Sequence, residues 1–157
     1  MTLKGPRGVE LIQGEVLTLF ASAARGAGVN QAGTAVIVNG ERSRFAVELV
    51  VSAAQTEVTD TLDVFLDVLA ADGVTWLNAI HFTQVLGNGG AKKYFAVLDP
   101  SNPGTAVIDA SADAAAGAVR PGLFGPQLRG RYTIVDAGGA AAGFTFAVTA
   151  YATGYPV

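Results

Sequence analysis

Apolar and polar residues alternate along much of this chain, and that period of two is the feature that most constrains its fold. Clusters of Gly, Asn, Asp and Pro divide the alternation into short runs. In the clearest run, residues 61–69, aliphatic residues alternate with Asp63, Phe65 and Asp67. Because successive side chains of a β-strand point to opposite faces, this run predicts a strand with one buried side. Repeated short strands separated by turn residues are typical of an all-β sandwich or barrel.

We therefore predict an all-β, single-domain antiparallel β-sandwich, jelly-roll-like, built from about eight or nine short strands. The length of 157 residues is that of one domain. Residues 1–14 show no clear period and contain Gly and Pro, so we expect an extended N-terminal arm ahead of a sandwich domain at residues 15–157. Such an arm would lie on a neighbour in an assembly or fray in a monomer.

Two dipeptides mark predicted hairpins. Asn39-Gly40 stands between strand-like runs at residues 34–38 and 42–51, and Asp72-Gly73 stands between runs at 61–69 and 75–83. Asn-Gly and Asp-Gly readily adopt the positive φ that tight type I′ turns need. Residues 105–108 predict a further strand. The Ala-rich residues 109–119 predict an ordered loop or one or two helical turns.

The composition disfavours several kinds of partner. Charged residues make up 15% of the chain, below the roughly 25% of an ordinary soluble domain, so much of the surface is small or apolar and suits burial against other subunits. The net charge of −3 would not attract nucleic acid. Cysteine is absent from the sequence, which removes disulfides and thiol chemistry. The longest weakly polar stretch is far shorter than a membrane helix, so neither nucleic acid nor a membrane is an expected partner.

No group of residues has the composition of an active site. His81 is the only histidine, with no Cys or second His to complete a triad or a common zinc site, so we interpret it as structural. Asp63 and Asp67 would lie about 13 Å apart on one strand face, too far for paired glycosidase carboxylates, and we interpret them as surface residues. The turn at residues 99–104 offers too few oxygen ligands for calcium. We expect no catalytic residue, no cofactor and no metal, and hence no enzyme.

Several residues are instead candidates for an interface. Phe65 and Leu69 interrupt the polar face of residues 61–69 and need cover from a loop or from a neighbouring subunit, both of which stay open. Residues 45–91 hold six acidic residues and no Lys or Arg, so opposite patches of two copies could meet, with solvated faces of one monomer as the alternative. The candidates are Leu3, Lys4, Arg7, Leu11 and Ile12 of the arm, Phe65 and Leu69, the basic Arg120, Arg129 and Arg131, and the aromatic Tyr151 and Tyr155.

Three parts of the chain resemble small structural proteins of tailed bacteriophages. They are residues 17–25 (LTLFASAAR), residues 72–76 (DGVTW) with 82–85 (FTQV), and residues 129–134 (RGRYTI) with 144–148 (FTFAV). In that family a strand ending in Ala-Ser-Ala-Ala-Arg precedes an apolar strand pair, an Asp-Gly-x-Thr-Trp hairpin, and an Arg-containing strand paired with a Phe-x-Phe strand. The order is the same here over most of residues 16–152, although residues 1–14 and 99–119 are longer than in short family members.

The resemblance implies a non-enzymatic virion protein with a compact β-sandwich, above all a capsid decoration (cement) protein. Such a protein would bind the major capsid protein on the outside of the head, and a homo-oligomer such as a trimer would suit three-fold sites of the shell. Its expected location is the capsid surface of the virion, after synthesis in the host cytoplasm. The alternatives are a tail or head-tail joining protein, or a carbohydrate-binding sandwich that uses Trp76 or the pair Tyr151 and Tyr155. A hydrolase with scattered carboxylates ranks last.

Overall fold

The structure is a computed structural model that describes residues 3–4, 10–11, 14–38, 44–54, 56–99, 101–102 and 107–154, the first two segments through their backbone alone. These residues form thirteen strands and no helix. Eight strands have five residues or more and the other five have two, which is why the total exceeds the predicted number. The strands are β1 (Leu3–Lys4), β2 (Glu10–Leu11), β3 (Glu15–Arg25), β4 (Gly28–Ala32), β5 (Val36–Ile37), β6 (Arg44–Ala54), β7 (Thr61–Leu69), β8 (Trp76–His81), β9 (Val85–Leu86), β10 (Lys92–Leu98), β11 (Ala118–Val119), β12 (Gln127–Val135) and β13 (Phe144–Thr153).

Two antiparallel sheets pack together. The smaller sheet has the order β10-β6-β13-β3, and the larger has the order β11-β8-β7-β12-β4, with β5 paired to β12 and β9 paired to β7. β1 pairs with β2 separately from both sheets. The eight longer strands can be renumbered 1 to 8 in chain order, so that β3 becomes strand 1 and β13 becomes strand 8. In this numbering the smaller sheet has the order 1-8-3-6 and the larger sheet has the order 2-7-4-5. This interleaving of early and late strands is that of a jelly roll, so the predicted all-β sandwich is confirmed.

The core lies between the inner faces of the two sheets. β13 contributes Phe144, Phe146 and Val148 at alternate positions, all at most 1% exposed, as the sequence predicts. From the larger sheet, β7 contributes the aliphatic residues at positions 62, 64, 66 and 68, which are equally buried. Burying one such side chain stabilises the fold by about 1.5–3 kcal/mol. The core therefore fixes which residues of β7 and β12 face outward.

The predicted hairpins differ in outcome. The Asp72-Gly73 turn joins β7 to β8 as predicted, but it is not of type I′, because Gly73 has a positive φ of 72° and Asp72 does not. The Asp72 Oδ1 accepts hydrogen bonds from the N–H groups of Val74 and Thr75 at 2.9 and 2.8 Å. The hairpin predicted at Asn39-Gly40 is wrong. These two residues lie outside the described part, but β5 pairs with β12 of the larger sheet whereas β6 belongs to the smaller one.

Two other expectations about strands also fail. Residues 107 and 108 are not in a strand, and residues 105 and 106 lie outside the described part of the chain. The Arg-containing strand β12 is not paired with the Phe-x-Phe strand β13, because β12 pairs with β7 and β4 in the larger sheet while β13 lies in the smaller one. Alternation predicts that a segment is a strand, but it carries no information about the sheet that the strand joins.

Asp60 organises the loops that precede β7 and follow β12. Its side chain is buried, and its carboxylate accepts hydrogen bonds from the N–H groups of Ala137 at 3.1 Å and Glu57 at 3.3 Å. Burial opposes the ionised form, but the hydrogen bonds, led by that from Ala137, outweigh it and hold the pKa of Asp60 below its ordinary value.

In the Asp60→Asn variant, the free energy of unfolding is expected to decrease less steeply at acid pH than it does in the wild-type protein. Because the folded-state pKa is lower than the unfolded one, the carboxylate stabilises the fold above about pH 4, and this contribution is lost as the pH falls further. Urea unfolding midpoints of both proteins between about pH 2.5 and 7 test this. Asp136→Asn, at an exposed aspartate of the neighbouring loop, is the matched control. If the Asp60→Asn curve ran parallel to wild type throughout, the depressed pKa would be refuted.

Candidate ligand cavity and interaction surfaces

The loop of residues 107–117, which precedes β11, is fastened to the outer face of the larger sheet. His81 of β8 connects the two, because its Nδ1 lies 2.8 Å from the carbonyl oxygen of Ala114 and its Nε2 lies 2.9 Å from the Asp63 Oδ1. The His81 ring also packs against Phe65, with centroids 4.2 Å apart. His81 thus holds the loop to the sheet.

Phe65 and Leu69 are buried within this one chain, at 5% and 7% exposure. Phe65 is covered by His81 and by the Arg131 guanidinium, which lies 4.0 Å from the Phe65 centroid. Of the two covers that the sequence left open, a neighbouring subunit is therefore not needed. The assignment of Phe65 and Leu69 to an interface is corrected accordingly.

Asp67 lies at the centre of a buried polar network beneath the loop. It is 2% exposed, so its prediction as a surface carboxylate is wrong. Its Oδ2 accepts hydrogen bonds from the Nε atoms of Arg131 at 2.9 Å and Arg129 at 3.2 Å, and its Oδ1 accepts from Arg131 Nη2 at 3.2 Å and Asn78 Nδ2 at 3.3 Å. The register of β12 on β7 places Arg129 directly opposite Asp67. Sheet pairing therefore brings the charges together.

Arg131 extends this network to the loop and to β4. Its guanidinium also donates to both carboxylate oxygens of Asp113 and to the Oδ1 of Asn30, the latter at 2.8 Å. Burial works against the charged form, but the hydrogen bonds from Arg131 to Asp67 and Asp113 outweigh it and raise the pKa of Arg131 above its ordinary value. The guanidinium therefore stays charged while it ties three parts of the fold together.

Arg120 holds the same loop through backbone carbonyls. Its Nη1 donates to Asn78 O at 3.0 Å, and its Nη2 donates to Asp109 O at 3.0 Å and Ala112 O at 2.8 Å. The three arginines that were expected to meet an acidic patch of a second copy thus make contacts inside their own chain. Asp67 is the acidic partner of Arg129, and Asp67 and Asp113 are those of Arg131, so these arginines do not need a second copy for pairing, and their contact with one stays a prediction.

A cavity of about 400 Å³ opens beside this network, between the loop and the sheet. The Arg129 guanidinium stacks on the Trp76 ring at 4.3 Å from its centroid. Of these residues, the sequence indicated Trp76 as a carbohydrate platform but missed Asn30 and Asn78, because only the pairing of distant strands brings them together. The cavity is lined by Asn30, Ala32, Asp67, Trp76, Asn78, residues 110–113, Arg129 and Arg131.

The outer face of the smaller sheet exposes apolar side chains on β10, β13 and β3. Tyr151 is 49% exposed and Phe95 is 68% exposed. Both border a second cavity of about 330 Å³, which crosses Ala46 of β6. Val16, paired with Tyr151, is exposed as well. Phe95 was missed by the sequence analysis, although the alternation along β10 places it on the same face as Val97.

The structure describes the arm candidates only in part. Leu3 and Lys4 form β1 and Leu11 lies in β2, with Leu3 opposite Leu11 in the register, and these residues are described through their backbone. Arg7, Ile12 and Tyr155 lie outside the described residues. The arm at residues 1–14, the domain at residues 15–157 and the contacts of these side chains stay predictions.

The described residues offer no grouped metal ligands. No three side chains among their His, Asp and Glu residues come together in a way that could hold a metal ion. In the predicted turn, the Asp99 Oδ1 accepts hydrogen bonds from the N–H and the hydroxyl of Ser101 at 3.0 and 2.7 Å. Within the same described part of the chain, no helix is long and apolar enough to cross a membrane.

No protein-family model and no curated protein matches this chain. Among solved structures, that of infectious bursal disease virus Gx strain matches with a TM-score of 0.54 at 13% identity, over 95% of this chain and 35% of that chain. The infectious bursal disease virus VP2 subviral particle matches with a TM-score of 0.51 at 10% identity, over 94% and 34% of the two chains. This chain thus spans about a third of either viral chain, and at these identities the likeness shows a shared fold.

Proposed function

We propose that this chain is a structural, non-enzymatic protein of a virion. The observation that carries the proposal is the jelly-roll strand order of this chain, together with its likeness in fold, over nearly the whole chain, to the structures of infectious bursal disease virus and of the VP2 subviral particle. Jelly rolls are recurrent in viral capsid domains and also in lectins. Because a fold alone does not fix a function, the surfaces of this chain must support the finer assignment.

Within this class we propose a capsid decoration protein of a tailed bacteriophage. It binds the major capsid protein on the outside of the head and strengthens the shell, so its location is the capsid surface of the virion, after synthesis in the host cytoplasm. The resemblance in β3 and in the Asp72-Gly73 hairpin supports this assignment, while the position of β12 and β13 in different sheets departs from the family pattern. A tail or head-tail joining protein is the alternative within the same class.

The contact surface in this proposal is the outer face of the smaller sheet together with the arm. β3 begins with Glu15 opposite Ala152 and Val16 opposite Tyr151, so residues 1–14 join the sandwich beside the exposed Tyr151. A partner that covers Phe95 and Tyr151 removes apolar surface from water, and aromatic residues are enriched in the centres of protein interfaces. Self-association as a trimer would repeat this surface around a three-fold site of the shell.

The expected result is that the purified protein co-pellets at fixed stoichiometry with expanded, undecorated heads of its phage and raises their melting temperature. Light scattering of the free protein gives its oligomeric mass in the same series. Phe95→Ala is expected to weaken head binding at least about tenfold, in line with the loss of a buried aromatic anchor. Phe124→Ala, which removes a similarly exposed ring (66% against 68%) outside the smaller sheet, is the matched control and should bind as wild type does.

Three outcomes would contradict the proposal at different levels. Failure to co-pellet, with the protein found in tails or necks by mass spectrometry of purified virions, would reject decoration and favour the joining role. Absence of the protein from virions altogether would reject the virion assignment itself. Equal binding by the Phe95→Ala and Phe124→Ala variants would remove the smaller sheet from the interface.

A further inference from the structure

The 400 Å³ cavity on the larger sheet has the size of a small-molecule site, since ligand cavities commonly measure roughly 300–1,000 Å³. It lies on the opposite side of the sandwich from Phe95 and Tyr151, because its lining comes from β4, β7, β8 and β12. A ligand bound here would therefore leave the proposed contact face free.

Most acceptors of the lining are already used. Both carboxylate oxygens of Asp67 accept hydrogen bonds from Arg131, and both oxygens of Asp113 do the same. The Oδ1 of Asn78 accepts from the N–H of Ala114 at 2.9 Å, and the Oδ1 of Asn30 accepts from Arg131. These acceptor oxygens therefore already accept hydrogen bonds from groups of the same chain.

Several donors, in contrast, are left over. Arg129 uses its Nε on Asp67 and stacks on Trp76, while its Nη1 and Nη2 have no hydrogen-bond partner among the described residues. Within the same part of the chain, the Nε1 of Trp76 and the Nδ2 of Asn30 also have none. Since these three side chains line the cavity, the site presents donors and would be satisfied by a ligand rich in acceptors.

Asn30 adds a second, independent observation. Its φ of 52° is the only positive value at a residue other than Gly in the described chain. This left-handed conformation is held by a hydrogen bond from its N–H to the Thr133 Oγ1 at 3.0 Å. Non-glycine residues held in such sparsely populated conformations concentrate at functional sites.

The charges of the cavity lining restrict the chemical class of the ligand further. The lining carries Arg129 and Arg131 against Asp67 and Asp113, so its formal charge is zero, and Arg129 is the cation with free donors. A carboxylate matches the Nη groups of Arg129 and brings one negative charge. A dianionic phosphate would instead lie beside two carboxylates at a larger repulsive cost. Hydroxyl groups match the remaining N–H donors of Trp76 and Asn30.

We propose that this cavity binds a carboxylate-bearing saccharide of the uronic-acid class. The carboxylate accepts from Arg129 Nη1 and Nη2, and ring hydroxyls accept from Asn30 Nδ2 and Trp76 Nε1. Asp67 and Arg131 act as positioning residues, because they hold Arg129 and Asn30 in place. This inference goes beyond the structural role proposed above and does not depend on it.

Trp76 is the only tryptophan of the chain, so intrinsic fluorescence reports on this cavity directly. Titration of the full chain with sodium glucuronate is expected to give a saturable change, with glucose and sodium acetate binding at least about tenfold more weakly because each lacks one half of the recognised chemistry. Amide shifts in a ¹⁵N correlation spectrum should map to Asn30, Ser111 and Arg129, which provides a second readout.

Variants separate the site from a general effect on the fold. Arg129→Gln is expected to weaken glucuronate binding at least about tenfold, and Asn30→Gly, which tolerates the left-handed backbone while removing the amide, should weaken it several-fold. Arg44→Gln on the smaller sheet is the matched control and should not change it. Absence of both the fluorescence change and the amide shifts up to about 50 mM, acetate binding as tight as glucuronate, or unchanged binding by a folded Arg129→Gln protein would each overturn the proposal.

Discussion

Asp67→Asn is expected to lower the free energy of unfolding by about 3–5 kcal/mol. The substitution keeps the shape of the side chain but removes the negative charge against which the Arg131 guanidinium is buried. The new amide would also present N–H donors to the N–H donors of Arg129 and Arg131. Urea denaturation with linear extrapolation measures the loss.

Glu48→Gln is the matched control for this prediction. It also changes an acid to its amide in a strand ion pair, that of the Glu48 carboxylate with the Lys93 ammonium at 2.7 Å, but both side chains are substantially exposed. Such exposed pairs contribute only about 0–1 kcal/mol. If Asp67→Asn cost no more than Glu48→Gln, the network beneath the loop would not stabilise the fold.

The sequence predicted the strands whose own alternation is regular. Residues 61–69 are β7 with the predicted boundaries, and Phe144, Phe146 and Val148 turn inward as expected. The Asp72-Gly73 turn was also predictable, because a carboxylate two residues before Val74 caps the turn locally. These features depend on neighbouring residues alone.

The features that failed depend on partners far away in the chain. Asp67 looks like a surface aspartate because nothing near it in sequence offers a cation, and its partners Arg129 and Arg131 arrive only with β12. The run that ends before Asn39-Gly40 looks like half of a hairpin, but in the jelly roll it pairs with β12. β4 was missed because its sequence GVNQA is polar and its residues are largely exposed.

As part of a ligand site the sequence indicated Trp76 alone, whereas Arg129 and Arg131 were predicted for an interface. Trp76 is recognisable from its residue type, but the ligand site also needs Arg129, which stacks on Trp76. It needs Asn30 as well, and no sequence motif predicts the left-handed backbone of that residue. For the contact face, Tyr151 was predicted and Phe95 was not. A face of a sheet is the sum of alternate residues on several strands, so its character emerges only once the strand order is known.

Phe146→Ala is expected to destabilise the fold by about 3–5 kcal/mol. The ring is fully buried, packs edge-on against Tyr132 and Phe20 at centroid distances of 5.4 and 5.8 Å, and lies 4.4 Å from the Arg25 guanidinium carbon, so truncation leaves a cavity where β13 meets the larger sheet. Phe95→Ala makes the same change at an exposed ring of the same sheet and should alter the unfolding free energy by no more than about 0.5 kcal/mol. Urea midpoints of the two variants test this, and similar losses in both would show that the core assignment of β13 is wrong. Measured together with head binding, the two variants distinguish the roles of the two faces of the smaller sheet. Phe146 on the inner face stabilises the fold, whereas Phe95 on the outer face is assigned to contact with a partner.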